Sequence, residues 1–169
     1  CVQSSVSATS SPNLSLAVDG GSLTAIGTGN SDGILLYVGS SQATGATTSL
    51  TVTDNAIVRA KNGIKAERVD KPTPSGAGIV FDGTEGTVYG DVTLQTDLEI
   101  GEGESLTIGD GASLTIPDGM TLTVNGGELT GENIPTEGVV YKVTEVKLDK
   151  DSLSLEASPP WTPTARSPP

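Results

Sequence analysis

From residue 98 the chain alternates apolar and polar positions in a repeating phrase of eight residues: LEIGEGES, LTIGDGAS, LTIPDGMT and LTVNGGE. Its first position is Leu98, Leu106, Leu114 and Leu122, its third Ile100, Ile108, Ile116 and Val124, and its sixth Gly103, Gly111, Gly119 and Gly127. Between the apolar pair stand Glu99, Thr107, Thr115 and Thr123. Side chains alternate across a strand, so Leu-x-Ile turns two apolar groups to one side and its middle residue to the other. The residues that follow are turn formers, with glycine where the backbone takes a positive φ. A three-residue strand buries too little to stand alone. Stacking each turn of chain on the next, about 4.8 Å away, merges the Leu and Ile rows into one core and pairs the backbone in parallel ladders. The pattern predicts a β-solenoid. Short antiparallel hairpins in a sandwich are the competing arrangement, and the constant phase of near-identical units favours the solenoid.

The earlier chain carries the same pattern at a longer period. SLAV (15–18), SLTAI (22–26) and Gly33-Ile34 are echoed by SLTV (49–52), AIV (56–58) and Gly63-Ile64. The spacing is 34 residues at the start and 30 at the Gly-Ile pair, which a coil with a variable loop accommodates. GIVF (78–81) and GTVY (86–89) continue the pattern, and Val92-Thr93-Leu94 forms the join to the octads. No stripe of helical period is present, and 22 Gly and 10 Pro interrupt any long helix. Aromatics are 3% of residues, so Val, Ile and Leu must build the core. The expectation is an all-β chain whose residues 14–135 form one tapering right-handed parallel β-helix. Residues 1–13 read as a disordered Ser/Thr-rich tether.

Charge and composition remove several chemistries. The 169 residues include no histidine and one cysteine, and the formal net charge is −12. That leaves no Ser-His-Asp or Cys-His catalysis, no histidine-based zinc site, no internal disulfide and no cysteine-cluster metal site. A sequence pI near 4.1 argues against a nucleic-acid partner, because phosphate binding needs Lys and Arg to displace counterions. No apolar run approaches the roughly 20 residues of a transmembrane helix.

The phrase GTVYGDVTL (86–94), followed by the octads, resembles large secreted proteins of Gram-positive gut bacteria that combine Gly/Thr-rich β-helix repeats with bacterial Ig-like modules. VTEVKLDKDSLSL (143–155) looks like the opening strands of a group 2 bacterial Ig-like domain. The resemblance implies an extracellular, cell-surface, adhesin-like role among other domains of a longer protein, and it transfers no functional residue, since the shared positions are strands and turns. An Ig-like sandwich would need roughly 60 further residues after Leu155, whereas the chain reads EASPPWTPTARSPP. Residues 136–155 are therefore expected to be a linker and the start of an incomplete Ig-like module, and 156–169 a disordered Pro-rich tail. That tail reads as native or as the truncated or frame-shifted end of a longer protein. Cys1 followed by VQSSVSATSSP looks like a mature bacterial lipoprotein, with a lipidated Cys1 and a polar tether; a small unpaired cysteine is the alternative.

Four kinds of site remain to be weighed. Acids in the turns, Asp82, Glu85, Asp91, Asp97, Glu102, Glu104, Asp110 and Asp118, raise a polysaccharide-degrading β-helix enzyme with a carboxylate pair, but aromatics to grip sugar rings are few. No catalytic residue is assigned, and soluble turns account for the acids. Gly-Asp-Gly and Gly-Glu-Gly turns place Glu102, Glu104, Asp110 and Asp118 as candidate calcium ligands if their corners stack, although the known calcium repeat has period nine; no other cofactor is implied. Arg59, Lys61, Lys65, Arg68 and Lys71 are five of nine cations and form a candidate contact for teichoic acid or an acidic glycan, or an edge guarded against sheet pairing. Tyr37 and Tyr89 are candidate stacking platforms for host or bacterial cell-wall glycans. Two functions follow: a non-catalytic structural or adhesin-like surface module, and a carbohydrate-binding module, with the enzyme third.

Overall fold

The structure, a computed structural model, describes residues 2–6, 13–29, 31–39 and 45–142. The regular elements in it are strands: β1 (Val2–Val6), β2 (Asn13–Asp19), β3 (Ser22–Ala25), β4 (Ile34–Val38), β5 (Thr47–Ala60), β6 (Ile64–Glu67), β7 (Ser75–Asp82), β8 (Glu85–Tyr89), β9 (Asp91–Thr93), β10 (Leu98–Ile100), β11 (Ser105–Ile108), β12 (Ser113–Thr115), β13 (Leu122–Asn125), β14 (Glu128–Gly131) and β15 (Val139–Lys142). The described chain is all-β, and no helix in it is long and apolar enough to cross a membrane.

Pairing follows the sequence echoes. Leu16 and Val18 of β2 lie in parallel register with Leu50 and Val52 of β5, and Ile34 of β4 with Ile64 of β6. In the octads, Leu98 and Ile100 pair with Leu122 and Val124, so three octads make one pass of the chain. Leu106 pairs with Leu129, and Leu114 with Val92 of the join. Thr107, Thr115 and Thr123 consequently stand on three different strand stacks rather than one. The phase is as the pattern requires: Leu98, Ile100, Leu106, Ile108, Leu114, Leu122 and Val124 are buried, and Glu99, Thr107 and Thr115 are exposed. Gly103, Gly111 and Gly119 take positive φ as expected, while in the fourth octad Gly126 does so in place of Gly127.

One junction departs from the expected single coil. β8 runs antiparallel to β7, with Asp82 opposite Glu85 across a two-residue turn, Gly83-Thr84. Gly83 has φ +69°, the conformation that a tight hairpin demands at its first central position and that glycine adopts without steric cost. The stack therefore advances through a hairpin instead of a parallel pass, in the order β2-β5-β7-β8-β11-β14.

This sheet carries a core on each face. Neighbouring residues of β5 and β7 point oppositely: Ile57, Ile79 and Phe81 join Val88, Leu106, Ile108 and the other octad residues, while Val58 and Val80 join Ile34, Leu50, Val52 and Ile64. A third, smaller cluster holds Leu14, Leu36 and Val38. Phe81 fits because residue 86 has no side chain; a Cβ there would lie 2.6 Å from the ring. Within β5, Asp54 and Asn55 both take positive φ and the register shifts, which makes a corner. The side chain of Asn55 then accepts the Thr93 N–H at 2.7 Å, occupying a donor on the open edge of β9.

The stacked region also extends past its expected limits. Val2–Val6, assigned to a disordered tether from composition, pairs in parallel with β4, because the edge of β4 offers backbone groups that need partners. At the other end β15 pairs with β13 and carries the stack beyond residue 135 to Lys142. Cys1, most of the remaining tether, the Ig-like start from residue 143 and the Pro-rich tail lie outside the described residues.

Candidate functional site

Two depressions hold several of the charged and aromatic residues singled out above. The larger is an open groove of 630 Å³ lined by Arg59, Lys61, Gly83, Thr84, Asp97, Glu99, Glu102 and Glu104 among others. Arg59 projects from the face of β5 that also bears Ile57 and the second core, and its guanidinium lies 3.8 Å from the centre of the Phe81 ring. Its Nη1 donates to Glu104 Oε1 at 2.8 Å and its Nη2 to the Glu99 carbonyl at 2.7 Å. Glu104 Oε2 accepts the Gly101 N–H at 3.0 Å, and Lys61 Nζ lies 3.7 Å from Oε1. Burial pushes the Glu104 carboxyl up, but the Gly101 N–H, Arg59 and Lys61 together outweigh it and hold the group below its usual value of 4.5. That is the reverse of what a glycosidase general acid requires.

Of the other calcium candidates, Glu102 shares the groove and the connection of Glu104, and Asp110 and Asp118 do not. Glu102, Asp110 and Asp118 occupy equivalent octad positions, and because three octads complete one pass they fall in three different connections, before β11, β12 and β13. Among the described residues no three acidic or cysteine side chains are grouped to share a metal ion. The basic residues do not form an uncompensated patch either. Arg59 and Lys61 meet Glu104, Lys65 Nζ lies 2.6 Å from Asp32, and Lys71 is paired with Asp82. The hydrogen bond and charge of Asp32 raise the Lys65 pKa. Arg68 donates to the Gly39 carbonyl at 2.8 Å and sits 5.4 Å from the centre of the Tyr37 ring. Tyr37 is half-buried on β4 in register with Glu67, so a cation already attends that platform.

Tyr89 occupies the second depression, a 120 Å³ cleft lined by Ile64, Lys71, Pro72, Pro74, Val80, Asp82, Glu85 and Thr87. The ring packs against the Val58–Val80 core and is half-buried. Asp82 organises the rim: Oδ1 accepts the Ile64 N–H at 2.7 Å and Oδ2 takes the Lys71 ammonium. Tyr37 does not line this cleft, so the two tyrosines offer separate platforms. Reading the sequence alone missed Pro72, Pro74 and the role of Asp82; the KPTP phrase at 71–74 was the available signal, since closely spaced prolines stiffen a connection into a fixed wall. Comparison with known proteins finds no matching family model, no matching curated protein and no matching solved structure.

Proposed function

We propose that this chain is a non-catalytic, extracellular surface module whose work is mechanical: a stiff right-handed parallel β-helix that spaces or displays other domains at a cell envelope. The observation that carries the reading is the in-register stacking of like side chains on successive passes, Leu16 on Leu50, Ile34 on Ile64, Leu98 on Leu122. Such stacking makes stiffness cumulative along one axis. The hairpin is compatible with a single helical sense. Strand direction reverses at β7–β8, and the core changes face of the shared sheet at the same place; the two inversions cancel, so both stacks wind the same way. Right-handedness follows the near-universal rule for parallel crossovers. Engagement of Arg59, Lys61, Lys65 and Lys71 by the chain's own acids supports a structural use of charge. The surface location rests on the resemblance of GTVYGDVTL (86–94) and the octads to Gram-positive repeat proteins.

The test is single-molecule energy transfer between dyes at Asn13→Cys and Lys142→Cys, with Cys1 replaced by Ser. One narrow distance distribution, unchanged between low and high salt, is expected of a spacer. A broad distribution that shifts with ionic strength would remove the proposal.

A further inference from the structure

We propose that the Tyr89 cleft, together with the hydroxyl ladder leading out of it, binds a neutral oligosaccharide. This goes beyond the spacer reading and stands independently of it. The site arises from a step in the shared sheet. On β5 and β7 the face bearing Val58 and Val80 is covered by the first core. On the continuation of the same face the register Val80–Thr87–Thr107–Thr130 replaces apolar side chains by hydroxyls, and Thr107 is exposed. The core ends where the ladder begins, and the cleft is that boundary.

Its chemistry suits one sugar ring. The half-buried Tyr89 and Pro74, beside the buried Pro72, offer apolar surface for the C–H face of a pyranose. Asp82, Glu85 and Thr87 stand at the same rim as acceptors for hydroxyls, with Lys71 as a donor. An ionised carboxylate has about four acceptor positions, so Asp82 retains capacity beyond Ile64 and Lys71. Two carboxylates against one ammonium, in a molecule of net charge −12, repel uronates and other anionic sugars. The preference is thus for neutral rings, the opposite of the acidic glycan that the basic cluster had suggested.

The cleft's 120 Å³ is well below the roughly 300 Å³ at which drug-sized sites begin. It can seat no more than one ring, and further rings must lie on the open sheet. There the hydroxyls of Thr87, Thr107 and Thr130 rise in steps of about 4.8 Å, with Thr107 Oγ1 and Thr130 Oγ1 bonded at 2.9 Å. Glu85, Ser105 and Glu128 form a parallel polar row two residues away on the same face. An oligomer running across the strands meets a repeating set of donors and acceptors.

Titration of the isotope-labelled protein with cellotetraose, mannotetraose and chitotetraose, and with tetragalacturonate as the anionic control, tests the proposal by backbone amide shifts. At least one neutral tetraose is expected to give saturable shifts at Thr87, Tyr89 and Thr107, binding more tightly than its monosaccharide. Tyr89→Ala should weaken both by roughly two- to tenfold. Thr107→Val, at an exposed site that leaves the core intact, should weaken the tetraose by roughly threefold and the monosaccharide not at all. No saturable shift with any neutral tetraose would overturn the inference. So would stronger binding of tetragalacturonate, shifts confined to another surface, or affinity indifferent to both substitutions.

Discussion

Arg59 joins three separate parts of the molecule. It caps the Glu99 carbonyl, covers the Phe81 ring and neutralises Glu104, with side-chain exposures of only 16% and 15% for the ion pair. Removing one partner of a part-buried pair leaves the other desolvated and unpaired. Arg59→Ala should therefore lower unfolding stability in urea by about 1–3 kcal/mol. Arg59→Lys should recover only part of this, because an ammonium has no planar fork to reach both oxygens and lie on the ring. The depressed Glu104 pKa sets the sign of a pH effect. Its stabilisation is fully present above the unfolded value near 4.5 and is lost as pH falls through the lower folded value. Denaturation midpoints measured from neutral pH downward should decline in that acid window, and Glu104→Gln should flatten the decline while lowering stability at neutral pH. Sequence reading found both residues but assigned Arg59 to a glycan contact and Glu104 to calcium. They are 45 positions apart, and no local motif links them.

At the scale of elements, the octads were legible because period and phase sit in the sequence itself. Ile108 is 3% exposed inside the second core, whereas Thr115 on β12 is exposed. Ile108→Asp should abolish the cooperative β-sheet circular dichroism transition, since the carboxylate would have no partner there. Thr115→Lys should change stability by no more than about 0.5 kcal/mol. Equal stability of the two variants would show the octad phase to be wrong. The hairpin was less legible. Asp-Gly-Thr-Glu at 82–85 is a recognisable two-residue turn, but the GIVF and GTVY phrases on either side look like another parallel repeat. Antiparallel register and repetition predict the same alternation, so pattern alone cannot separate them. Gly83 makes the backbone conformation of the turn testable. A Cβ there has no neighbour closer than 3.9 Å, yet φ is +69°. Gly83→Val should cost about 1–2 kcal/mol through backbone strain alone, with Gly83→Asn costing less; equal costs would show that the backbone at Gly83 is not held at positive φ.

Over the whole molecule, the shared sheet makes the two cores interdependent. Ile57 and Val58 are adjacent in the chain and buried in different clusters. Ile57→Ala and Val58→Ala should each lower the same single calorimetric transition, by about 1–4 kcal/mol according to how far each cavity relaxes. Two separated transitions would mean that the halves fold independently. This coupling could not be read from sequence, because it depends on which face of β5 each stack adopts. The all-β character and the echo of SLAV on SLTV could be read, whereas the three-octad register of Leu98 on Leu122 could not. The residues that meet across the stacks could not, since Asn55 and Thr93, or Arg59 and Glu99, carry no shared signal along the chain.

The register of Leu98 on Leu122 gives the molecule a natural unit of length. An insertion or deletion of one octad would rotate every later Leu–Ile pair to the wrong corner. Excising Leu98–Thr121, three whole octads, would bring Leu122 to the place of Leu98 and leave the phase unchanged. The product should fold and be shorter by about one strand spacing, 4.8 Å. Variation in the reach of such a chain would then be quantised: it could be lengthened or trimmed by three octads at a time, and changes of intermediate size would break the register.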